Sequence, residues 1–123
     1  MPDRPDGVTS TSDGRPVSVD FHHLETYVAG DLGLAREVLG LFCEQARSVL
    51  PTLDPAAPNT AWREAAHSLK GSALAIGAFA LAEACSRAEL ARDASIEVKQ
   101  DARTGVADAL GQALTDIAIY LRG

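Results

Sequence analysis

From Leu34 to Leu121 the apolar residues fall at helical spacing, three and four positions apart. Leu34, Val38, Leu39, Phe42, Ala46, Val49 and Leu50 trace one stripe. Val98, Ala102, Val106, Ala109, Leu110, Ala113, Leu114, Ile117 and Leu121 trace another. Long alternating runs of β-branched residues are absent, and the abundant alanine and leucine both favour helix. The pattern predicts an all-α chain. Hydrophobic residues make up 46% of the 123 and aromatic residues 5%, so the core must be built from Ala, Leu, Val and Ile. That length suits one domain with a single modest core.

Breakers divide the pattern. Residues 1–17 are rich in Pro, Gly, Asp, Ser and Thr and are predicted to form a flexible tail; the domain is expected over residues 18–123. Phe21, Leu24, Tyr27 and Val28 give a short first helix that stops at Gly30. Asp31 then caps a longer helix, which Pro51 ends around Leu50 to Leu53. After the connector DPAAPN, Asn59 or Thr60 caps the next helix, Glu64 suits the positive end of its dipole, and Gly77 closes it as a left-handed C-terminal cap. Further helices are expected from about Ala78 to Asp93 and from about Ile96 to Leu121, the last carrying Gly105 and Gly111 for no evident reason. Short connections between four long amphipathic helices predict an antiparallel up-down four-helix bundle, with the short N-terminal helix covering one end.

Charge and composition exclude several roles. The formal net charge is −6 and Lys70 and Lys99 are the only lysines, so a phosphate backbone would be repelled and nucleic acid is not an expected partner. The longest apolar run, Ala73 to Ala82, falls well short of the roughly 20 residues that span a bilayer. The first residues have no apolar segment to act as a signal peptide, so no membrane role and a cytoplasmic location are expected. Cys43 and Cys85 lie far apart with no CxxC and are read as buried, inert thiols.

One stretch, AAHSLKGSALAIG, interrupts an otherwise ordinary alanine-rich helix with His67, Lys70 and Gly71. Glycine costs about 1 kcal/mol in a helix interior relative to alanine. At about 100° per residue, Trp62, Ala65, Leu69, Ala73 and Ile76 form the core arc, and Arg63, His67, Lys70, Gly71 and Leu74 share the opposite side. A lone surface histidine ordinarily means nothing. Here Lys70 can reach an anionic group carried by the imidazole, Gly71 clears space for a partner, and Leu74 leaves an apolar spot where a partner could dock. Neutral imidazole, with an unperturbed pKa of about 6.5, is a good nucleophile near pH 7. No Gly-rich phosphate loop or metal-binding carboxylate pair accompanies it, so the chain could accept and pass on a phosphoryl group but not activate ATP.

His67, Lys70, Gly71 and Gly77 match the His-x-x-Lys-Gly pattern, with a glycine six residues later, of the histidine-containing phosphotransfer (HPt) domains of bacterial phosphorelays. The resemblance extends through DLGLAREVLGLFCEQARSVL before the motif and FALAEACSRAELA after it, about residues 18 to 122. It implies a four-helix bundle with an exposed histidine on the second long helix. His67 would be phosphorylated on Nε2, receiving the group from the aspartate of a response-regulator receiver domain or hybrid sensor histidine kinase and passing it to another receiver. Magnesium and the acidic pocket belong to the receiver partner, so no cofactor or metal bound to this chain is implied. In the chemotaxis-kinase branch a Glu on the following helix hydrogen-bonds the other imidazole nitrogen, and Glu89 aligns there. The alternative for Glu89 is a solvated charge pairing with Arg87 or Arg92. Arg63 is read either as a docking residue for a receiver's acidic mouth or as a solubilising charge, and His22 and His23 as surface residues. Opening at Met1 without kinase or receiver modules, the chain reads as a stand-alone monomeric phosphocarrier, not an ATP-dependent kinase. The competing expectations are a non-phosphorylated adaptor that covers a receiver or kinase face, and a helical bundle with a metal or small-ligand site. For the latter no paired-His spacing is present.

Overall fold

The computed structural model describes residues 18–123; the predicted tail, residues 1–17, lies outside the described residues. Five helices follow in order: α1 Phe21–Tyr27, α2 Leu32–Val49, α3 Asn59–Ile76, α4 Phe79–Leu90 and α5 Ile96–Leu121. Three starts are set by side-chain caps in which an oxygen accepts an orphan backbone N–H. Asp20 Oδ1 accepts from His23, Asp31 Oδ1 from Leu34 and Ser95 Oγ from Val98. Pro51 ends α2 as expected, and the chain leaves it through a single 3₁₀ turn, Leu50–Thr52.

α3 starts differently from the prediction. Pro58 occupies the cap position without a side-chain bond, and Asn59 is already the first helical residue. The Asn59 amide is committed elsewhere, to Lys99 and Asp93, and so does not cap. Glu64 lies beyond the first turn, which holds no acidic residue. α1 and α4 are also shorter than expected. Val28 to Gly30 form a turn with Ala29 and Gly30 at positive φ, and α4 stops at Leu90, where backbone bonds tighten around Ala91.

Gly77 closes α3 at φ 83°, with Ala78 N–H donating to Ala73 O at 2.8 Å and Gly77 N–H to Leu74 O at 3.3 Å, a Schellman arrangement. It does more than cap. A β-carbon there would stand 2.8 Å from the Asp20 carbonyl oxygen, and Asp20 N–H donates to Gly77 O at 2.9 Å. The α3–α4 turn is thus the seat on which α1 docks. α1 is also tied to α5 by stacking of Phe21 on Tyr120 and by Tyr120 Oη donating to Glu25 Oε2 at 2.8 Å.

α2 to α5 enclose one core, and α3, packed on both α2 and α4, carries its largest side chain, Trp62. Ala35, Ala46, Ala66, Ala73, Ala88 and Ala113 are fully buried, which lets helix backbones approach closely where bulkier residues would hold them apart. The predicted core arc of α3 is buried throughout: Trp62, Ala65, Leu69, Ala73 and Ile76. On α5 one expectation fails. Val98 is exposed and Lys99 is buried, because the stripe of Ile117, Ala113, Leu110 and Val106 continues back to position 99. Arg103, half-buried nearby, donates to the carbonyls of Leu53 and Leu50 at the 3₁₀ turn that follows α2. Cys85 is buried but Cys43 only half-buried, and both thiols are free. Nothing in the structure explains Gly105 or Gly111, which have open space around them. Among the described residues no helix is long and apolar enough to cross a membrane.

Candidate functional site

With its core arc turned inward, α3 has no choice about His67. The side chain stands 68% exposed in mid-helix, far from either end. Across the α3–α4 seam, Glu89 in the last turn of α4 is 19% exposed and points its carboxylate at α3. Glu89 Oε2 lies 3.0 Å from His67 Nδ1, and Oε1 accepts from Lys70 Nζ at 3.2 Å. One carboxylate therefore bridges both motif side chains, one oxygen to each. Arg87 and Arg92, the alternative partners for Glu89, approach Glu83 and Asp93 instead, at 4.0 and 3.6 Å.

The electrostatics follow from this geometry. Partial burial pushes the Glu89 carboxyl up, but the hydrogen bonds and positive charge of Lys70 and His67 outweigh it and hold the group below the usual carboxylate range. Glu89 is therefore an acceptor at neutral pH. An ionised carboxylate has no proton to donate, so the neutral imidazole that pairs with it carries its proton on Nδ1. Nε2 is left with a free lone pair. One turn back on α4, burial raises the Cys85 thiol, the Glu89 charge raises it further and Lys70 partly opposes both, placing it at about 12. That thiol is inert at neutral pH.

The surroundings differ on the two sides of the histidine. Toward α4, a depression of about 550 Å³ is lined by Arg63, Lys70, Glu89 and Arg92 among others. A second, about 490 Å³, shares Lys70 and Ser86 with it and extends past Leu74, 43% exposed, to Phe79. Toward α2, Gln45 donates to Ser68 Oγ at 3.3 Å and accepts from Ser72 Oγ, fastening a polar border. Between them, a β-carbon on Gly71 would meet nothing within 4 Å, so the glycine leaves the surface beside His67 open. Arg63, Lys70 and Glu89 thus line one depression and Leu74 the adjoining one. His22 is exposed, while His23 is half-buried edge-on to Phe79, remote in sequence from the motif. Among the described residues no three His, Cys, Asp or Glu side chains cluster as metal ligands would.

Two features of the site were not visible in the spacing alone. Lys70 is engaged by Glu89 instead of waiting free for an anion. The α4 end of the site is also held from below by Trp62, whose Nε1–H donates to the Ala88 carbonyl at 2.7 Å. A single tryptophan on a helix core arc, five residues before a reactive-looking histidine, is the available signal.

Comparison with known proteins agrees with this arrangement. The Hpt domain family matches residues 37–118, which include the whole of α3 and α4. Among solved structures, the histidine phosphotransferase ShpA from Caulobacter crescentus is similar, with a TM-score of 0.69 and 45% sequence identity over 85% of this chain and 91% of that one. Comparison with curated proteins finds no match. The helical bundle with its added N-terminal helix, the exposed histidine on its second long helix and the family match over two thirds of the sequence lead to one assignment: this chain belongs to the Hpt domain family.

Proposed function

We propose that the protein is a phosphorelay intermediate that carries a phosphoryl group on His67. The observation that supports this best is the divided carboxylate of Glu89, 3.0 Å from His67 Nδ1 and 3.2 Å from Lys70 Nζ. With the proton kept on Nδ1, the Nε2 lone pair attacks the phosphorus of a receiver's aspartyl phosphate. The N–P bond forms, the P–O bond to the aspartate breaks, and that carboxylate leaves with the bonding pair. As Nε2 bonds to phosphorus the ring gains positive charge, and the Glu89 carboxylate stabilises it through the Nδ1–H bond. Lys70, already held on Glu89, places its ammonium beside the incoming phosphoryl oxygens. Transfer onward to a second receiver reverses the same bonds.

Each remaining residue has a part in this reading. Gly71 gives the receiver room to approach Nε2, Arg63 meets its acidic mouth and Leu74 its apolar rim. Magnesium is supplied by the receiver's own pocket, and the phosphocarrier has no ATP-dependent kinase activity. The partners are response-regulator receivers and a hybrid sensor kinase; the protein works as a cytoplasmic monomer, with residues 18–123 as the phosphotransfer domain.

The test mixes the protein with a receiver domain phosphorylated by acetyl phosphate and follows acid-labile phosphate. The wild type is expected to take up the label and His67→Gln to take up none. Label on His67→Gln rejects His67 as the acceptor, and tight receiver binding without any transfer would favour the adaptor role.

A further inference from the structure

Lys99 is 4% exposed in a chain with one other lysine, and the transfer chemistry above does not use it. Its Nζ donates to Asn59 Oδ1 at 2.6 Å and lies 5.5 Å from the centre of the Trp62 ring. Among the described residues no carboxylate lies within ion-pair distance of it. Burying an ammonium is costly unless its protons are satisfied, and an apolar residue would continue the α5 stripe without that cost. Something other than core filling accounts for it.

The contacts of Lys99 lead to the transfer site in two steps. Asn59, fixed by the ammonium, donates from Nδ2 to Asp93 Oδ1 at 3.2 Å, just beyond the end of α4. Trp62, under the same ammonium, donates from Nε1 to the Ala88 carbonyl at 2.7 Å. That carbonyl belongs to the same rigid peptide group as the Glu89 nitrogen. α5 thus holds α3 through Lys99, and α3 holds both sides of Glu89, at Ala88 and at Asp93.

We propose that Trp62 and Lys99 are positioning residues for phosphotransfer, clamping α4 so that Glu89 meets His67 Nδ1. Resting on the phosphocarrier reading of His67, the proposal names a device for it that lies beneath the surface. Helical rise is about 1.5 Å per residue, so a slip of α4 by a fraction of one residue suffices to break a 3.0 Å bond. The ring of an unconstrained histidine side chain favours its proton on Nε2. Without Glu89 in place the ring would shift toward that form, and fewer molecules would present the Nε2 lone pair.

The test compares Trp62→Phe, which keeps an aromatic filler but removes the N–H, and Lys99→Met, which keeps the stem but removes the ammonium. Ile117→Ala serves as the control, lowering stability about 27 Å along α5 from Lys99 at the rise of a regular helix. The readouts are the protonated nitrogen of His67 by ¹⁵N NMR and the rate of its phosphorylation by phosphoramidate, both on protein shown to be folded by circular dichroism. The two clamp variants are expected to move ring protons from Nδ1 to Nε2 and to slow phosphorylation on the order of tenfold, in line with the sensitivity of positioned groups to ~1 Å displacements. Ile117→Ala is expected to change neither. If Lys99→Met and any folded Trp62→Phe keep the proton on Nδ1 at the wild-type rate, the clamp is only structural and the proposal falls. Should Trp62→Phe fail to fold, Lys99→Met decides alone. If the wild type never accepts phosphate, the phosphocarrier reading fails, and the ring-proton comparison still decides whether the clamp sets the Glu89–His67 bond.

Discussion

The two lysines of this chain hold the same ammonium in opposite surroundings. Lys70 is 33% exposed and is held by a carboxylate that it shares with His67. Lys99 is buried beneath the same seam and is held by a neutral amide and the face of an indole. At the surface the charge is inexpensive and remains available to chemistry, since water still solvates it and the ion pair contributes little to stability. In the interior the charge is costly, and its value lies in the direction of the bonds it imposes. The chain keeps its reactive group outside and the device that aims it inside.

Removing each lysine is the strongest way to break this comparison. Lys99→Ala leaves the Asn59 oxygen without its donor and a void on Trp62, and is expected to cost about 2–4 kcal/mol in urea unfolding. Lys70→Ala should cost less than about 1 kcal/mol in the same measurement. Equal losses would show that the two sites do not divide in this way.

Gly71→Ala sharpens it next. With nothing within 4 Å of the added methyl, helix propensity alone predicts a gain of up to about 1 kcal/mol. Phosphorylation by the small donor phosphoramidate should be unchanged while transfer from a receiver domain slows, because the methyl obstructs only a protein partner. Equal slowing with both donors would mean that the glycine serves the chemistry itself.

The smallest effect concerns Glu89 and pH. Its carboxyl is lowered in the folded protein from an ordinary value of 4.5, so its contribution to stability is complete above that pH and lost as pH falls through the lower, folded value. The difference in stability between wild type and Glu89→Gln should not shrink from pH 7 down to about 5 and should shrink at lower pH. A difference that instead shrinks between pH 7 and 5 would mean that Glu89 is not the group engaged.

Much of the site was legible in local sequence because it lies on one helix. A rotation of about 100° per residue decides which side chains share a face, so the burial of Leu69 and Ala73 and the exposure of His67 followed from counting. Gly77 as a left-handed cap was equally local. Where the structure departs from the local pattern at Asn59 and Val98, the cause lies in packing between elements distant in the chain. Asn59 looked like a cap because Asn commonly is one, but its amide is taken by Lys99, forty positions away. Val98 looked like core because it is apolar, yet the packing of α5 on α4 selected the phase that buries Lys99. Gly77 also had a second duty, as the seat of Asp20, that no neighbouring residue announces.

The sequence by itself determined the five helices, the Asp31 and Gly77 caps, the break at Pro51, the inward arc of α3 and the outward histidine, since these depend on spacing and backbone preference within a few residues. Only the tertiary structure decided that Glu89 divides its carboxylate between His67 and Lys70, and that Trp62 and Lys99 grip the turn carrying it. Those contacts depend on how far each helix slides and rotates against its neighbour. That is settled by the packing of the whole core and not by any one stretch of chain.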